Sequence, residues 1–329
     1  MNNRLRIGKR VTLSDIADEL GLSKTTVSRV LSGKGRIGAD TRRVVLECVK
    51  AHDYHPNLVA KGLAESKTWN IGVVLQGDAA REDMTFFQQC LFGIAGAVKA
   101  HNYDVLAVLN DGSGTDGLER ILRMSKADAV ILTRVLENDR NVSLLKERGV
   151  PFVAIGSSKD EDVVQVDAHN EDACRDFSLA MLGERASSAR IAFLCGSRNI
   201  VVNGLRLSGF LSALSKLGIP DERVLKMLDL DGERGAKAAL SGFDGDMVIC
   251  ADDILCEGAL EWAAESGRSD VKIASFHDSL LLSKSALGVS AIAVDAAELG
   301  RKASDILLSM LSGNDVESKN YVGHKFLFR

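Results

Sequence analysis

The 329-residue chain has no Cys-x-x-Cys pair and no apolar stretch approaching the length of a membrane-spanning helix. It also lacks a P-loop lysine, a His-Glu-x-x-His helix and a Gly-x-Ser-x-Gly elbow. Its six cysteines (Cys48, Cys90, Cys174, Cys195, Cys250, Cys256) are scattered, mostly among apolar neighbours, and on this reading none has a histidine at ligand spacing. A disulfide framework and a metal centre are therefore not expected, and the cysteines read as buried reduced thiols. Residues 1–10 lack the apolar run that follows the charges of an export signal, so the expectation is a cytoplasmic protein. The missing motifs leave enzyme activity without positive support, and the chain reads as a non-enzyme.

One glycine pattern competes with that reading. Gly112-Ser-Gly114-Thr-Asp-Gly117 matches G-x-G-x-x-G between an expected strand and helix. A dinucleotide fingerprint normally follows the first strand of its unit, whereas this one follows the second, so a glycine-rich loop explains the residues and no cofactor is expected.

Charge is unevenly placed. Residues 1–67 carry thirteen Lys and Arg against seven Asp and Glu, a net of +6, which leaves −10 for the rest of a chain whose total is −4. A basic head is joined to an acidic body, the footprint a nucleic-acid partner requires. Within the head, Ile16, Ala17 and Leu20 mark the inner face of one helix, and Val27, Val30 and Leu31 that of a second. Gly21 stops the first helix and Ser23 caps the second. Lys24, Thr25, Ser28 and Arg29 then point outward, a long cation and short hydroxyls suited to a major groove. An ordinary helical hairpin with a solvated face is the other reading of the pair taken alone. A third helical pattern follows, with Val44, Val45, Cys48 and Val49 on its apolar side, and then Tyr54-His-Pro56-Asn57-Leu58-Val-Ala60-Lys-Gly62-Leu63. Pro56 suits a first helical turn, but a helix of eight or nine residues containing Gly62 is marginal alone, which makes this segment a natural order–disorder switch.

Beyond it the pattern alternates. Expected strands at 71–75, 105–109, 129–133 and 152–155 interleave with helices near 86–101 and 117–125. A second series has strands at 190–194, 224–228, 247–251 and 272–276 and helices near 203–217 and 256–266. One α/β plan used twice implies two doubly wound lobes with a cleft at the carboxyl ends of their strands.

In order and spacing, the helix-turn-helix, the third helix and the segment 54–63 closely resemble the head and hinge of the lactose-repressor/galactose-repressor family of bacterial regulators. Weaker motifs extend the resemblance from Gly72-Val-Val74 through Gly149-Val-Pro151, Arg206-Leu-Ser-Gly-Phe210 and Ala251-Asp-Asp253 to about Leu311. The resemblance implies an all-α head at 1–53, a hinge helix and linker at 54–68, and a periplasmic-binding-protein-like body at 69–329. The body would have lobes at about 69–163 and 164–293, with a segment at about 294–329 partly returning to the first lobe. It further implies a dimeric DNA-binding transcriptional regulator, a repressor in expectation and associated with the nucleoid. The dimer would read a palindromic operator under control of a small effector in the cleft, with Leu63 wedged in the minor groove. Implied DNA contacts are Leu13, Lys24, Thr25, Thr26, Ser28, Arg29, Arg36, Asn57, Ala60 and Leu63. The stretch after Leu311 is too short for the heptads of a tetramer, so a homodimer is expected. A soluble sugar- or cofactor-binding protein with an accessory nucleic-acid-binding head is the alternative.

Implied effector residues are Arg206, Asp252, His277, Phe86, Arg134 and Asp167, with Arg198 also near a strand end. The family's usual Asn-Asp is here Asp252-Asp253, and its usual aspartate after Phe276 is His277. Histidine beside Arg206 favours an anionic effector such as a sugar phosphate or sugar acid over a neutral sugar, unless His277 is satisfied by Asp253 or Asp278. Phe86 and Phe87 read equally well as cleft lining or as core.

Overall fold

The computed structural model describes residues 11–33, 35–54, 62, 65–76, 84–110, 114–183 and 188–329. The chain divides into two compact units, Met1–Thr68 and Trp69–Arg329. Asn57, Ala60 and Leu63 lie outside the described residues, as do Gly112 and Ser113.

The first unit contains helices α1 (Leu13–Leu20), α2 (Lys24–Ser32) and α3 (Ala39–Ala51). The Thr12 hydroxyl accepts from the Asp15 amide at 3.3 Å while the Asp15 carboxylate accepts from the Thr12 amide at 2.8 Å, a capping box that starts α1. Gly21 ends α1 at φ 62°, where a side chain would be strained, and the Ser23 hydroxyl accepts from the Thr26 amide at 3.1 Å to start α2. Ile16, Ala17, Val27, Val30, Val45, Cys48 and Tyr54 form the small core. Val44 corrects the expected apolar stripe of α3. It is 39% exposed, because the inner face is centred on Val45, with Cys48 about 60° to one side and Val49 about 40° to the other, which leaves Val44 about 100° off its centre.

The second unit is built on two six-stranded sheets. In the first, β1 (Asn70–Gln76), β2 (Asp104–Asn110), β3 (Ala129–Leu132), β4 (Phe152–Ile155) and β5 (Gln165–Asp167) run parallel with β11 (Lys319–Tyr321), in the order β11-β5-β4-β3-β1-β2. In the second, β6 (Ile191–Leu194), β7 (Val224–Met227), β8 (Met247–Cys250), β9 (Lys272–Ser275) and β10 (Ser290–Val294) are parallel. β12 (His324–Leu327) closes that sheet's edge antiparallel to β10. The central strands are buried on both faces, as parallel strands covered by helices must be.

The chain passes between the sheets three times. The first passage follows β5, a few residues later than the expected lobe boundary near 163, because β5 pairs into the first sheet. The second leads from β10 into α12 (Ala296–Leu311), which packs on α4 (Met84–Lys99) of the first lobe. That packing is close because Gly93 and Gly300 lack side chains: a Cβ on Gly300 would overlap the Cys90 carbonyl, and one on Gly93 the Ala297 carbonyl. The third passage joins β11 to β12. His169, held at φ 54° on the first passage, stacks its ring on Tyr321 at the third, with centroids 3.6 Å apart.

Other helices of this unit are α5 (Asp116–Arg123), α6 (Arg140–Arg148), α7 (Asn170–Leu182), α8 (Val201–Leu217), α9 (Gly232–Ala239), α10 (Asp253–Glu265) and the short α11 (Leu280–Ser283). The sequence pattern missed α6, α7, α9 and α12. Charged or small residues break the apolar stripes of α6 and α9 into short pieces.

Candidate functional site

On α2, Lys24, Thr25, Ser28 and Arg29 are exposed together, and Arg36 is exposed just beyond. The caps at both ends of the helix hold this polar row while Val27 and Val30 anchor the other face. Two nominated residues are committed inside the unit. Thr26 shares a 2.8 Å hydroxyl–hydroxyl hydrogen bond with Ser23 as part of the cap, and Leu13 is half-buried against the head core.

In the second unit a cavity of about 370 Å³ opens between the two sheets, at the carboxyl ends of their strands. All six sequence-nominated residues, Phe86, Arg134, Asp167, Arg206, Asp252 and His277, line it. They come from six separate segments, so only the double-wound topology brings them together. Arg198 does not line it; its guanidinium is engaged by Asp229, with Nη2 2.5 Å and Nε 3.0 Å from one carboxylate oxygen.

Arg206 projects from α8 and is held from two sides. Its Nε donates to Asn170 Oδ1 at 3.1 Å and its Nη1 to the Ala251 carbonyl at 2.8 Å, so Nη2 has no hydrogen-bond partner among the described residues. Asn170 is fixed in turn by Asp167, whose Oδ1 accepts from the Asn170 carboxamide and from the Ala168 amide at 2.7 Å, and whose Oδ2 accepts from the Ser157 hydroxyl. At 4% exposure with both oxygens engaged, Asp167 orients its neighbours. Sequence reading missed Asn170, whose one local signal is its place three residues after Asp167.

His277 follows β9 with its Nδ1 2.9 Å from Asp253 Oδ1, both side chains about seven-eighths buried. Burial pushes the Asp253 carboxyl up, but the hydrogen bond and charge of His277, with bonds from its own backbone and from Ser279, outweigh this and hold it below its usual range. Asp278, the other suggested partner, instead pairs with Arg329 at 2.7 and 2.9 Å. An ionised Asp253 accepts from Nδ1–H, which leaves Nε2 as the ring atom open to a ligand, an acceptor or a donor according to whether it carries a proton. The Phe86 ring meets that imidazole edge-on at 5.2 Å, and Arg134 lies 5.4 Å from the centroid of Phe87, which is buried. Asp252 is the N-cap of α10, accepting from the Leu255 amide at 2.9 Å, and this explains an acidic residue there independently of any ligand. Asp231 also lines the cavity, at the N-cap of α9 but without a side-chain capping bond.

Beside the cavity the lobes touch through backbone. Glu137 N–H donates to Asn199 C=O at 2.9 Å and Val201 N–H to Val135 C=O at 3.2 Å, around an isolated antiparallel bridge between Leu136 and Ile200.

The glycine pattern has a packing explanation. A Cβ on Gly117 would overlap the Leu109 carbonyl, and the Asn110 side chain already occupies the start of α5 by accepting from the Leu118 amide at 3.1 Å. That position is where a pyrophosphate would bind. All six cysteines are free and buried, and burial pushes the Cys90 and Cys195 thiols up to about 12. Among the described residues no helix is long and apolar enough to cross a membrane.

Comparison with known proteins bears on both units. Residues 12–57 match the profile of bacterial regulatory proteins, lacI family, and residues 185–325 match that of the periplasmic binding protein-like domain. The HTH-type transcriptional regulator MalR of Streptococcus pneumoniae is 30% identical over 335 residues, covering 96% of this chain and 99% of that protein. AglR of Rhizobium meliloti, another HTH-type transcriptional regulator, is 31% identical over 82% of this chain and 78% of its own length. Among solved structures, the lac repressor dimer bound to operator and the anti-inducer ONPF covers 98% of each chain with a TM-score of 0.81 at 22% identity. A transcriptional regulator CelR–cellobiose complex covers 97% of this chain and 99% of that one at 0.70 and 23%.

Proposed function

Because this chain belongs to the lacI family of bacterial regulatory proteins and is a DNA-binding transcriptional regulator, we propose that it is a repressor. In this reading it binds a palindromic operator as a homodimer and is switched by a neutral sugar held in the interlobe cavity. The observation that carries the effector half is Arg206, anchored by Asn170 and the Ala251 carbonyl with one amino group left to face the cavity. Around it stand acceptors as well as donors: the carboxylates of Asp231 and Asp252, the guanidinium of Arg134, and Nε2 of His277, which can serve as either. A sugar hydroxyl both donates and accepts, so a mixed lining suits a polyhydroxyl ligand. The lining carries four aspartates, Asp167, Asp231, Asp252 and Asp253, against two arginines. That excess of negative charge disfavours the anionic effector expected from His277 and Arg206, since any charge on His277 is matched by the Asp253 carboxylate bonded to it. Phe86 offers an apolar edge for the C–H face of a ring, and a cavity of this size lies at the small end of the range for ligand pockets, about 300–1,000 Å³.

On the DNA side, Lys24, Thr25, Ser28 and Arg29 form the reading face, supported by their joint exposure on a capped helix, with Arg36 as a flanking cation. Asn57, Ala60 and Leu63 are assigned to the hinge by the family alone. A coupling of about 1–3 kcal/mol between cavity and operator gives a 5- to 150-fold response.

Two measurements test the reading. A gel-shift titration on palindromic operator candidates is expected to give sequence-dependent, salt-sensitive binding that Leu63→Ala weakens; its absence overturns the repressor. A thermal-shift screen of neutral sugars, sugar phosphates and sugar acids is expected to select a neutral sugar, and selection of an anion overturns the effector class.

A further inference from the structure

The first unit contains a group of side chains that DNA reading does not use. Cys48 and His52 stand four residues apart along α3, with His52 at its C-cap, and therefore on one face. Glu19 reaches them from α1. The carboxylate bridges the other two: His52 Nε2 is 2.7 Å from Glu19 Oε2, and the Cys48 thiol donates to Glu19 Oε1 at 3.7 Å. One ligand atom from each residue lies within 4.8 Å of the other two. This also corrects the sequence reading that no cysteine had a histidine at ligand spacing, since one helical turn separates the pair.

We propose that Cys48, His52 and Glu19 form a zinc-binding site that fastens α1 to α3 in the DNA-binding head. A thiolate, an imidazole and a carboxylate are the three donor types Zn²⁺ accepts, at about 2.3 Å for sulfur and about 2.0–2.2 Å for nitrogen and oxygen, which puts ligand atoms of a tetrahedral site some 3–4 Å apart. The group therefore needs only small side-chain movements to close on the ion. On binding, the Cys48 thiol gives its proton to solvent as the zinc–sulfur bond forms. The Nε2 proton that His52 donates to Glu19 likewise passes to solvent, Nδ1 keeping or taking up the ring's one proton, so that the Nε2 lone pair and the freed Glu19 oxygen turn to the metal. The imidazole and carboxylate side chains are 38% and 54% exposed, so the ion enters from solvent and a water completes the fourth position. Cys48 is the buried end of the site and a member of the head core.

The benefit follows from size. The described core of the head contains seven buried side chains, and domains this small commonly depend on a metal or a crosslink for stability. A metal joining α1 and α3 restrains the two helices that support α2, so zinc availability would set the fraction of heads folded to read DNA. This inference is independent of the effector reading, because no cavity residue takes part.

The test titrates metal-stripped full-length protein with Co²⁺, a spectroscopic substitute for zinc. One equivalent is expected to produce thiolate-to-cobalt charge-transfer absorption and the strong visible bands of a four-coordinate ion, displaced by Zn²⁺. Cys48→Ser, which leaves the other five cysteines in place, is expected to abolish the charge transfer. His52→Gln and Glu19→Gln are each expected to weaken affinity at least about tenfold, the lower end of what even an outer-shell partner costs. Zn²⁺ is also expected to raise the melting temperature of the wild-type head and not of the His52→Gln head. Absence of the bands, bands that survive Cys48→Ser, or an unchanged titration in His52→Gln overturns the site. Should Cys48→Ser fail to fold, the exposed His52→Gln decides alone.

Discussion

Asp167 is the point at which removing one side chain is expected to disturb both stability and ligand binding. Its carboxylate is 4% exposed and accepts from the Ser157 hydroxyl, the Ala168 amide and the Asn170 carboxamide, which in turn holds Arg206. Asp167→Ala removes the acceptor from three donors. The Ser157 hydroxyl can rotate toward another acceptor, but the Ala168 amide cannot leave the end of β5. A hydrogen bond to a charged group is worth about 1.5–3 kcal/mol and a stranded buried donor costs about 1–3 kcal/mol, so the expected loss is about 3–5 kcal/mol. Asp167→Asn behaves differently. Its carbonyl oxygen can keep the two bonds made by Oδ1, while its amide group turns to a serine hydroxyl that can accept, leaving an expected loss of about 1 kcal/mol. Denaturant titration of the ligand-free protein separates the two variants. Effector affinity gives the second readout: because Asp167 acts through Asn170 and Arg206, the effects of Asp167→Asn and Arg206→Lys are expected to fall short of additive by at least about 0.5 kcal/mol. Asp167→Ala within about 1 kcal/mol of wild type, or full additivity with Arg206→Lys, would refute the relay.

Gly300→Ala is expected to destabilise the protein by about 1–3 kcal/mol, because its Cβ meets the Cys90 backbone carbonyl, which cannot rotate away. Helix propensity alone predicts the opposite sign, so the direction of the midpoint shift decides. Burial, followed by the charges of Asp253, Glu233, Glu261 and Asp252, pushes the Glu257 carboxyl up to about 7. A raised carboxyl favours the folded state most below the unfolded value of 4.5 and loses that contribution as pH climbs through 7. Glu257→Gln is therefore expected to flatten the decline in stability between pH 5 and 8, a gain on the order of 1–2 kcal/mol at pH 8 once solvent screening is allowed for. Parallel pH profiles for the two proteins would contradict it. Thr12→Ala breaks the capping box of α1 and is expected to lower head stability by about 1 kcal/mol, read by circular dichroism at the head's own transition; no shift would show that the cap is dispensable.

The sequence by itself determined whatever depends on neighbours along the chain. The turn at Gly21, the cap at Ser23, the inner faces of α1 and α2 and the alternation of strands and helices are local: propensity, capping and periodicity act over a few residues. Family resemblance added Arg206 and its five companions, and all six meet in one cavity. What each does there was decided only by tertiary structure. Asp252 caps α10 through an amide three residues on and Asp167 holds Asn170 three residues on, but His277 finds Asp253 24 residues away and Arg206, held by Asn170, reaches the Ala251 carbonyl 45 residues away, so the joint role of these groups exists only in the fold. The same holds for charge: along the chain two arginines and a histidine point to an anionic ligand, and only the folded cavity places Asp231 and Asp253 beside them. In the head, Cys48 and His52 were one helical turn apart in plain view, but the pair acquired chemical meaning only when the packing of α1 on α3 supplied Glu19. Contacts between residues distant in sequence exist only after burial has chosen which helix faces meet, and burial is a property of the whole fold.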